Sequence, residues 1–184
     1  MNIYFERPQM LVTEKMFTDY VTSIHLDVRE LTSEERVEHE VPDISVNEDG
    51  IEYHVEAWTA TDYFLHHNTP MPDKDKVRQI IINHIDSCTD NRILSGFVWR
   101  DIPVWLSMEN QFNYKGAYDL AVQTGGATLP ITFKLGERDG RPVYFTFEDM
   151  ETFTDFYISA IAYKNACLES GWAKKDSIDF DNLL

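Results

Sequence analysis

The chain has 184 residues, 43% hydrophobic and 13% aromatic, enough for the core of one domain or a small pair and too apolar for a disordered chain. Thirty-two acidic against sixteen basic residues leave a formal charge of −16, which repels phosphate backbones and anionic lipid and argues against nucleic-acid and membrane-surface partners. The two cysteines, Cys88 and Cys167, lie outside any CxxC pattern, so neither a disulfide framework nor a zinc module is implied and a reducing compartment fits.

In the opening MNIYFERPQM, Glu6 and Arg7 stand where a signal peptide needs an apolar run, so no classical export signal is expected. Residues 1–68 read as a β-rich N-terminal segment. Its best strands are Asp19 to Glu30 and Ile51 to Tyr63, where β-branched and aromatic residues alternate with charges. An acidic connector joins them, part of it a short helix, and its Asn47-Glu48-Asp49-Gly50 tail is a turn signal. His66 to Pro72, with two prolines and no apolar period, reads as the linker.

A second domain is expected over 73–184. Its first helix starts after Asp73, carries Val77, Ile80, Ile81, His84, Ile85 and Cys88 on one face, and is predicted to stop near Thr89-Asp90. ILSGFVW and IPVWLSM then flank Arg100-Asp101 as a hairpin, with Pro103 assigned to an unpaired edge. Ser107 caps a helix running to about Thr124, closed by Gly125-Gly126. LPITFKL and PVYFTF form a second hairpin around Asp139-Gly140. Thr146 and Asp149 open the closing helix, whose stripe is Met150, Phe153, Phe156, Tyr157, Ala160, Ile161 and Leu168, with Gly171 as its stop. The expected class is α+β: two antiparallel hairpins packed with three helices, preceded by the β-rich segment. The expected core includes Ile81, Phe97, Trp99, Trp105, Phe133, Phe145, Phe153 and Ile161.

No constellation carries specific chemistry. Glu52, His54 and Glu56 alternate along a predicted strand and share a face, the geometry of a metal or proton-sharing site, and equally of a solvated strand face. His84 and Cys88 stand four apart on a helix, within reach for thiolate activation, yet on the face that packs inward. His66-His67 are adjacent and point apart. No phosphate loop or nucleophile elbow surrounds the glycines, and carboxylates such as Asp62, Asp149 and Glu151 are too numerous for any pair to be informative. No catalytic residue, cofactor or metal is therefore nominated. Trp99, Trp105, Tyr114, Tyr118 and Trp172 are the candidate interface, because large amphipathic rings anchor protein contacts. Trp105, beside Pro103, leads that set.

The order IINHIDSCTDNRILSGFVW, VWLSMENQFNY, LPITFKL, VYFTFEDMETF and GWAKKDSIDF resembles an uncharacterised domain family of bacteriophage and prophage proteins associated with tails and tail fibres. Ile82-Asn83, Asp90, Ile93, Gly96-Phe97, Ser107, Gln111 to Asn113 and Lys175 to Ile178 carry the resemblance over about 73–184. It implies a non-enzymatic structural or assembly protein of the tail, baseplate or fibre, located in the virion and in the host cytoplasm during assembly. Its partners would be other phage structural proteins or further copies of itself. Two alternatives stand beside it. One is a small hydrolase of wall or capsule polysaccharide, which needs two carboxylates converging in a tryptophan-lined pocket. The other is an acidic inhibitor or DNA mimic, which needs its carboxylates gathered on one face.

Overall fold

In the computed structural model, which describes residues 1–183, the chain is a mixed α+β protein. Leu184, the predicted end of the second domain, lies outside the described residues. The chain divides into two compact units, residues 1–81 with 180–182, and residues 82–179 with 183. The division falls inside a helix, beyond the predicted boundary at 68–73. No helix among the described residues is long and apolar enough to cross a membrane.

The first unit is built on an antiparallel sheet of β1 (Leu11–Met16), β2 (Asp19–Glu30) and β5 (Trp58–His67), in the order β1-β2-β5. Alternation along β2 buries Thr22, Ile24 and Leu26 on one face. The acidic connector contains α1 (Ser33–Glu38), opened by a capping box in which Thr32 and Glu35 satisfy each other's backbone N–H groups. Arg36 on α1 is 6% exposed and donates to the carbonyls of Pro42, at 3.2 Å, and Val55, at 3.0 Å. That use of the Val55 carbonyl marks a departure from the predicted strand 51–63, which is two strands. β4 (Glu52–His54) pairs with β3 (Ile44–Val46) around the expected Asn47–Gly50 turn. Val55 to Ala57 then turn inward, because Val55 and Ala57 pack with Leu31 and Val41 in a small buried cluster. The predicted linker is shorter too: His66 and His67 extend β5, where His67 accepts or donates at 2.8 Å with the Thr22 hydroxyl and stacks on Tyr20.

α2 (Lys74–Ser95) opens where Asp73 accepts from the Asp75 and Lys76 N–H groups. It runs past the predicted stop at Thr89-Asp90 and absorbs half of the predicted strand. Thr89 stays helical by bonding the Ile85 carbonyl at 2.8 Å, and nothing breaks the helix before Gly96. Within the second unit, β6 (Phe97–Trp99) and β7 (Ile102–Val104) form the first hairpin, and β8 (Ile131–Arg138) and β9 (Arg141–Phe147) the second. α3 (Met108–Gln123) and α4 (Met150–Asp176) complete it, with N-caps Ser107 and Asp149. Asp139 and Gly140 both take positive φ, as a two-residue hairpin turn requires.

Arg100 and Asp101 also take positive φ, 48° and 61°, at a turn with no glycine. Their hold on the rest of the unit compensates: Arg100 pairs with Asp155 at 3.3 Å and lies over the Trp99 ring, and the Asp101 carbonyl accepts from Arg138. Asp101→Gly relieves the strain while leaving that carbonyl in place. It is expected to raise stability by about 0.5–1 kcal/mol, read as a higher urea midpoint. An unchanged or lower midpoint would show that the turn is unstrained.

The core of the second unit is aromatic. Phe147, Phe153 and Phe156 are fully buried, with Phe97 and Trp99 beside them and Phe133 and Phe145 packed on the edge. Three residues of the expected core are outside it: Trp105 is 37% and Ile161 42% exposed, and Ile81, though buried, belongs to the first unit. The helical period explains Ile161, since Phe153, Phe156, Ala160 and Cys167 already fill the inward stripe of α4. Gly171 does not stop α4. It is buried within it, where a Cβ would lie 2.5 Å from the Thr89 hydroxyl on α2.

Candidate functional site

The β6–β7 hairpin sets the start of α3. Ser107 accepts from the Asn110 N–H, while the Asn110 and Gln111 amides donate back to the carbonyls of Trp105, at 3.0 Å, and Leu106, at 2.6 Å. With the chain entry fixed in this way, Tyr114 and Ala121 face the core. A second stripe at i, i+4, i+7, formed by Met108, Phe112 and Lys115, faces outward. On α4, Ile158 and Ile161 likewise stand off the buried stripe.

Met108, Phe112 and Lys115 on α3 and Ile161 on α4 border a groove between the two helices of about 430 Å³. Leu106, Met108, Phe112, Tyr157, Ala160 and Ile161 supply its apolar lining. Met108 is 87% and Phe112 77% exposed. Lys164 donates to Gln111 at 2.8 Å and bridges the helices, and Lys115 lies on the rim, paired with Asp119. The lining contains two lysines and no carboxylate, in a chain with twice as many acidic as basic residues.

Tyr114 also lines the groove. Its ring meets Phe133 and Phe156 edge-on, and its hydroxyl is buried with no hydrogen-bond partner among the described residues. Burial pushes its pKa up to about 12. Removing an unpartnered buried hydroxyl removes a desolvation penalty, so Tyr114→Phe is expected to stabilise the protein by about 1 kcal/mol in urea unfolding. A loss of stability of that size would mean that the hydroxyl is partnered in solution.

The five aromatic residues chosen from sequence fall into separate places. Trp99 is buried, its indole N–H donating to Asp155 at 3.0 Å, and Tyr114 is buried as described, so neither is an exposed anchor. Tyr118 is half-buried, stacked on Tyr157 at 4.3 Å and bonded to Thr154. Trp105 and Trp172 are exposed, but neither lines the groove. The edge assigned to Trp105 is not free: its N–H donates to the Leu135 carbonyl of β8 at 2.8 Å, and the Pro103 carbonyl packs against Gly136. Met108 and Phe112 are not among the residues chosen from sequence, since no motif marks them. The signal that finds them is a second apolar stripe beside a complete first one.

The other sequence constellations take separate places. Glu52 and His54 are exposed on β4, while Glu56 lies beyond its end and accepts from the Trp58 indole at 3.4 Å, so the three do not share one strand face. His84 Nε2 and Cys88 Sγ are 3.6 Å apart, with the histidine buried. His66 is exposed, whereas His67 bonds the Thr69 carbonyl and the Thr22 hydroxyl.

A polar network that the sequence did not signal joins the N-terminal segment to the first sheet. Asp62 on β5 meets His25 Nδ1 at 2.8 Å and accepts from the Tyr4 hydroxyl at 2.8 Å and from Asn2. Burial raises the Asp62 pKa, but the hydrogen bonds from His25, Asn2 and Tyr4 outweigh it and hold the carboxyl below its ordinary value. With its oxygens committed to three partners, Asp62 acts as a clamp on residues 2–4.

Neither a curated protein nor a solved structure matches the chain. Residues 76–183 match a family described as Domain of unknown function (DUF4376). That match takes in the groove, both hairpins and more than half of the chain, which therefore belongs to the DUF4376 family.

Proposed function

We propose that this protein is a non-enzymatic structural or assembly component of a bacteriophage or prophage particle, associated with the tail, baseplate or tail fibre, and that it works by docking other protein chains. The observation that carries the docking part is the α3–α4 groove, where Met108, Phe112 and Ile161 expose apolar surface. Such a surface costs solubility unless a partner covers it. The phage part rests on the resemblance carried by residues such as Gly96-Phe97, Gln111 to Asn113 and Lys175 to Ile178. A polysaccharide hydrolase would use a pocket with paired carboxylates and stacking tryptophans, and the groove lining offers neither.

Mass spectrometry of purified particles, from the phage or induced prophage encoding this chain, tests the assignment. The chain, or a structural protein cross-linked to it during assembly, is expected among the products. Its absence from both particles and assembly intermediates would defeat the assignment.

A further inference from the structure

Residues 2–4 are tied to the first sheet at its β5 edge. The Tyr4 backbone exchanges hydrogen bonds of 2.9 and 2.8 Å with Trp58, where β5 begins. Further along β5, the side-chain donors of Asn2 and Tyr4 both end on one oxygen of Asp62, while its other oxygen meets His25 Nδ1 of β2 at 2.8 Å. The Asp62 side chain is 6% and the His25 side chain 8% exposed, so the carboxylate is nearly cut off from water and depends on these groups for its solvation. Ile3, lying between the two ties, packs on the buried cluster of Leu31, Val41 and Ala57.

The chain that follows is held loosely. Residues 5–9 make no backbone hydrogen bond among the described residues, and strand pairing starts only at Leu11. Phe5 is 63% exposed, and Arg7 touches the sheet through its guanidinium, 5.3 Å from the centre of the Trp58 ring. One buried carboxylate therefore carries most of the polar hold on residues 2–4.

We propose that residues 2–4 form a strap latched by the Asp62 carboxylate, closed while that group is ionised and released when it takes up a proton. Ionised, Asp62 accepts charge-assisted bonds, about twice as strong as neutral ones. A proton removes that advantage, and on the oxygen that Asn2 and Tyr4 share it adds a third hydrogen where two are already aimed. No neighbour takes over the role. His25 and Tyr4 are the partners themselves, Arg7 and Glu56 are engaged at Trp58, and the same-face neighbours on β5, Ala60 and Phe64, carry no charge.

The direction of the pH effect follows from the same contacts. Burial pushes the Asp62 pKa up, but the bonds from His25, Asn2 and Tyr4 pull it further down, below its ordinary value. The latch therefore contributes fully above the ordinary aspartate range and is lost as pH falls through the depressed value. Release uncovers the Leu31, Val41 and Ala57 cluster and the Trp58 backbone groups. The proposal concerns the first unit alone and does not depend on the phage reading or on the groove.

Amide hydrogen exchange of the full chain, resolved by NMR and expressed as protection relative to an unstructured chain from about pH 7 to about pH 2, tests it. In the wild type the Tyr4 and Trp58 N–H groups, which donate to each other's carbonyls, are expected to lose about tenfold in protection on acidification, while the paired amides of β1, β2 and β5 stay protected. Tyr4→Phe keeps the ring and removes one donor, so it should lower strap protection already at neutral pH and leave the sheet intact. Asp62→Ala should make strap protection low and independent of pH; if that variant unfolds, Tyr4→Phe decides alone. Strap protection that persists through acid, or that is lost only together with the sheet, would overturn the proposal. So would wild-type protection in Tyr4→Phe, or a folded Asp62→Ala variant that keeps the wild-type pH profile.

Discussion

Replacing Phe156 by alanine is expected to destabilise the second unit by about 4 kcal/mol, the upper range for truncating a buried aromatic ring. Phe156 is fully buried and sits at the meeting point of the core: Trp99 and Tyr114 meet it edge-on at 5.2 and 5.1 Å, and Phe97 and Phe147 lean on it at 6.3 and 5.1 Å. These neighbours come from α3 and both hairpins, so no single element can move to fill the space. The void would persist, and its cost adds to that of the lost burial. Urea unfolding followed by tryptophan fluorescence measures the change. A loss below about 2 kcal/mol would mean that the aromatic core repacks freely.

Gly136→Val is the second large effect, expected at about 3 kcal/mol by overpacking. At Gly136 a Cβ would stand 2.3 Å from the Pro103 carbonyl oxygen and 3.1 Å from its carbon, both backbone atoms that cannot rotate away. One residue earlier, the Leu135 carbonyl takes the Trp105 N–H, and Leu135 itself is fully buried. A side chain at 136 therefore pries β7 from β8 and exposes that bond and the leucine together. Gly136→Ala should show a smaller loss in the same direction. Equal stability of wild type and valine variant would show that the two hairpins are not held this closely.

Most of the second unit was legible because its punctuation is chemical. Ser107 and Asp149 cap their helices, Asp139-Gly140 turns the second hairpin, and Gly125-Gly126 closes α3 with positive φ at both glycines. The misreadings share a cause: tertiary contact decided against local preference. Gly171 reads as a helix stop, yet its missing side chain makes room for Thr89 inside a continuing helix. Val55 and Ala57 read as strand, yet they turn inward to a cluster whose other members lie far back in the chain.

The candidate site was legible only in part, for a related reason. Tyr114, a candidate anchor from sequence, is instead a buried wall of the groove, while Met108 and Phe112, which no sequence motif marks, are its exposed edge. Composition cannot separate an apolar residue that packs within its own chain from one that waits for a partner. Only the filled inward stripe of the helix does so.

The α3–α4 groove is proposed to bind another structural protein of the particle. Affinity capture with tagged chain from phage-producing cells, with wild type and Phe112→Asp run side by side, tests it most directly. A charged group in place of an anchor ring is expected to weaken the contact by at least about 2 kcal/mol, some thirtyfold, while leaving the fold intact, since Phe112 is 77% exposed. A virion structural protein is expected to be retained by wild type and lost by the variant. Recovery of no virion protein by a folded wild type, or equal recovery by both, would contradict it.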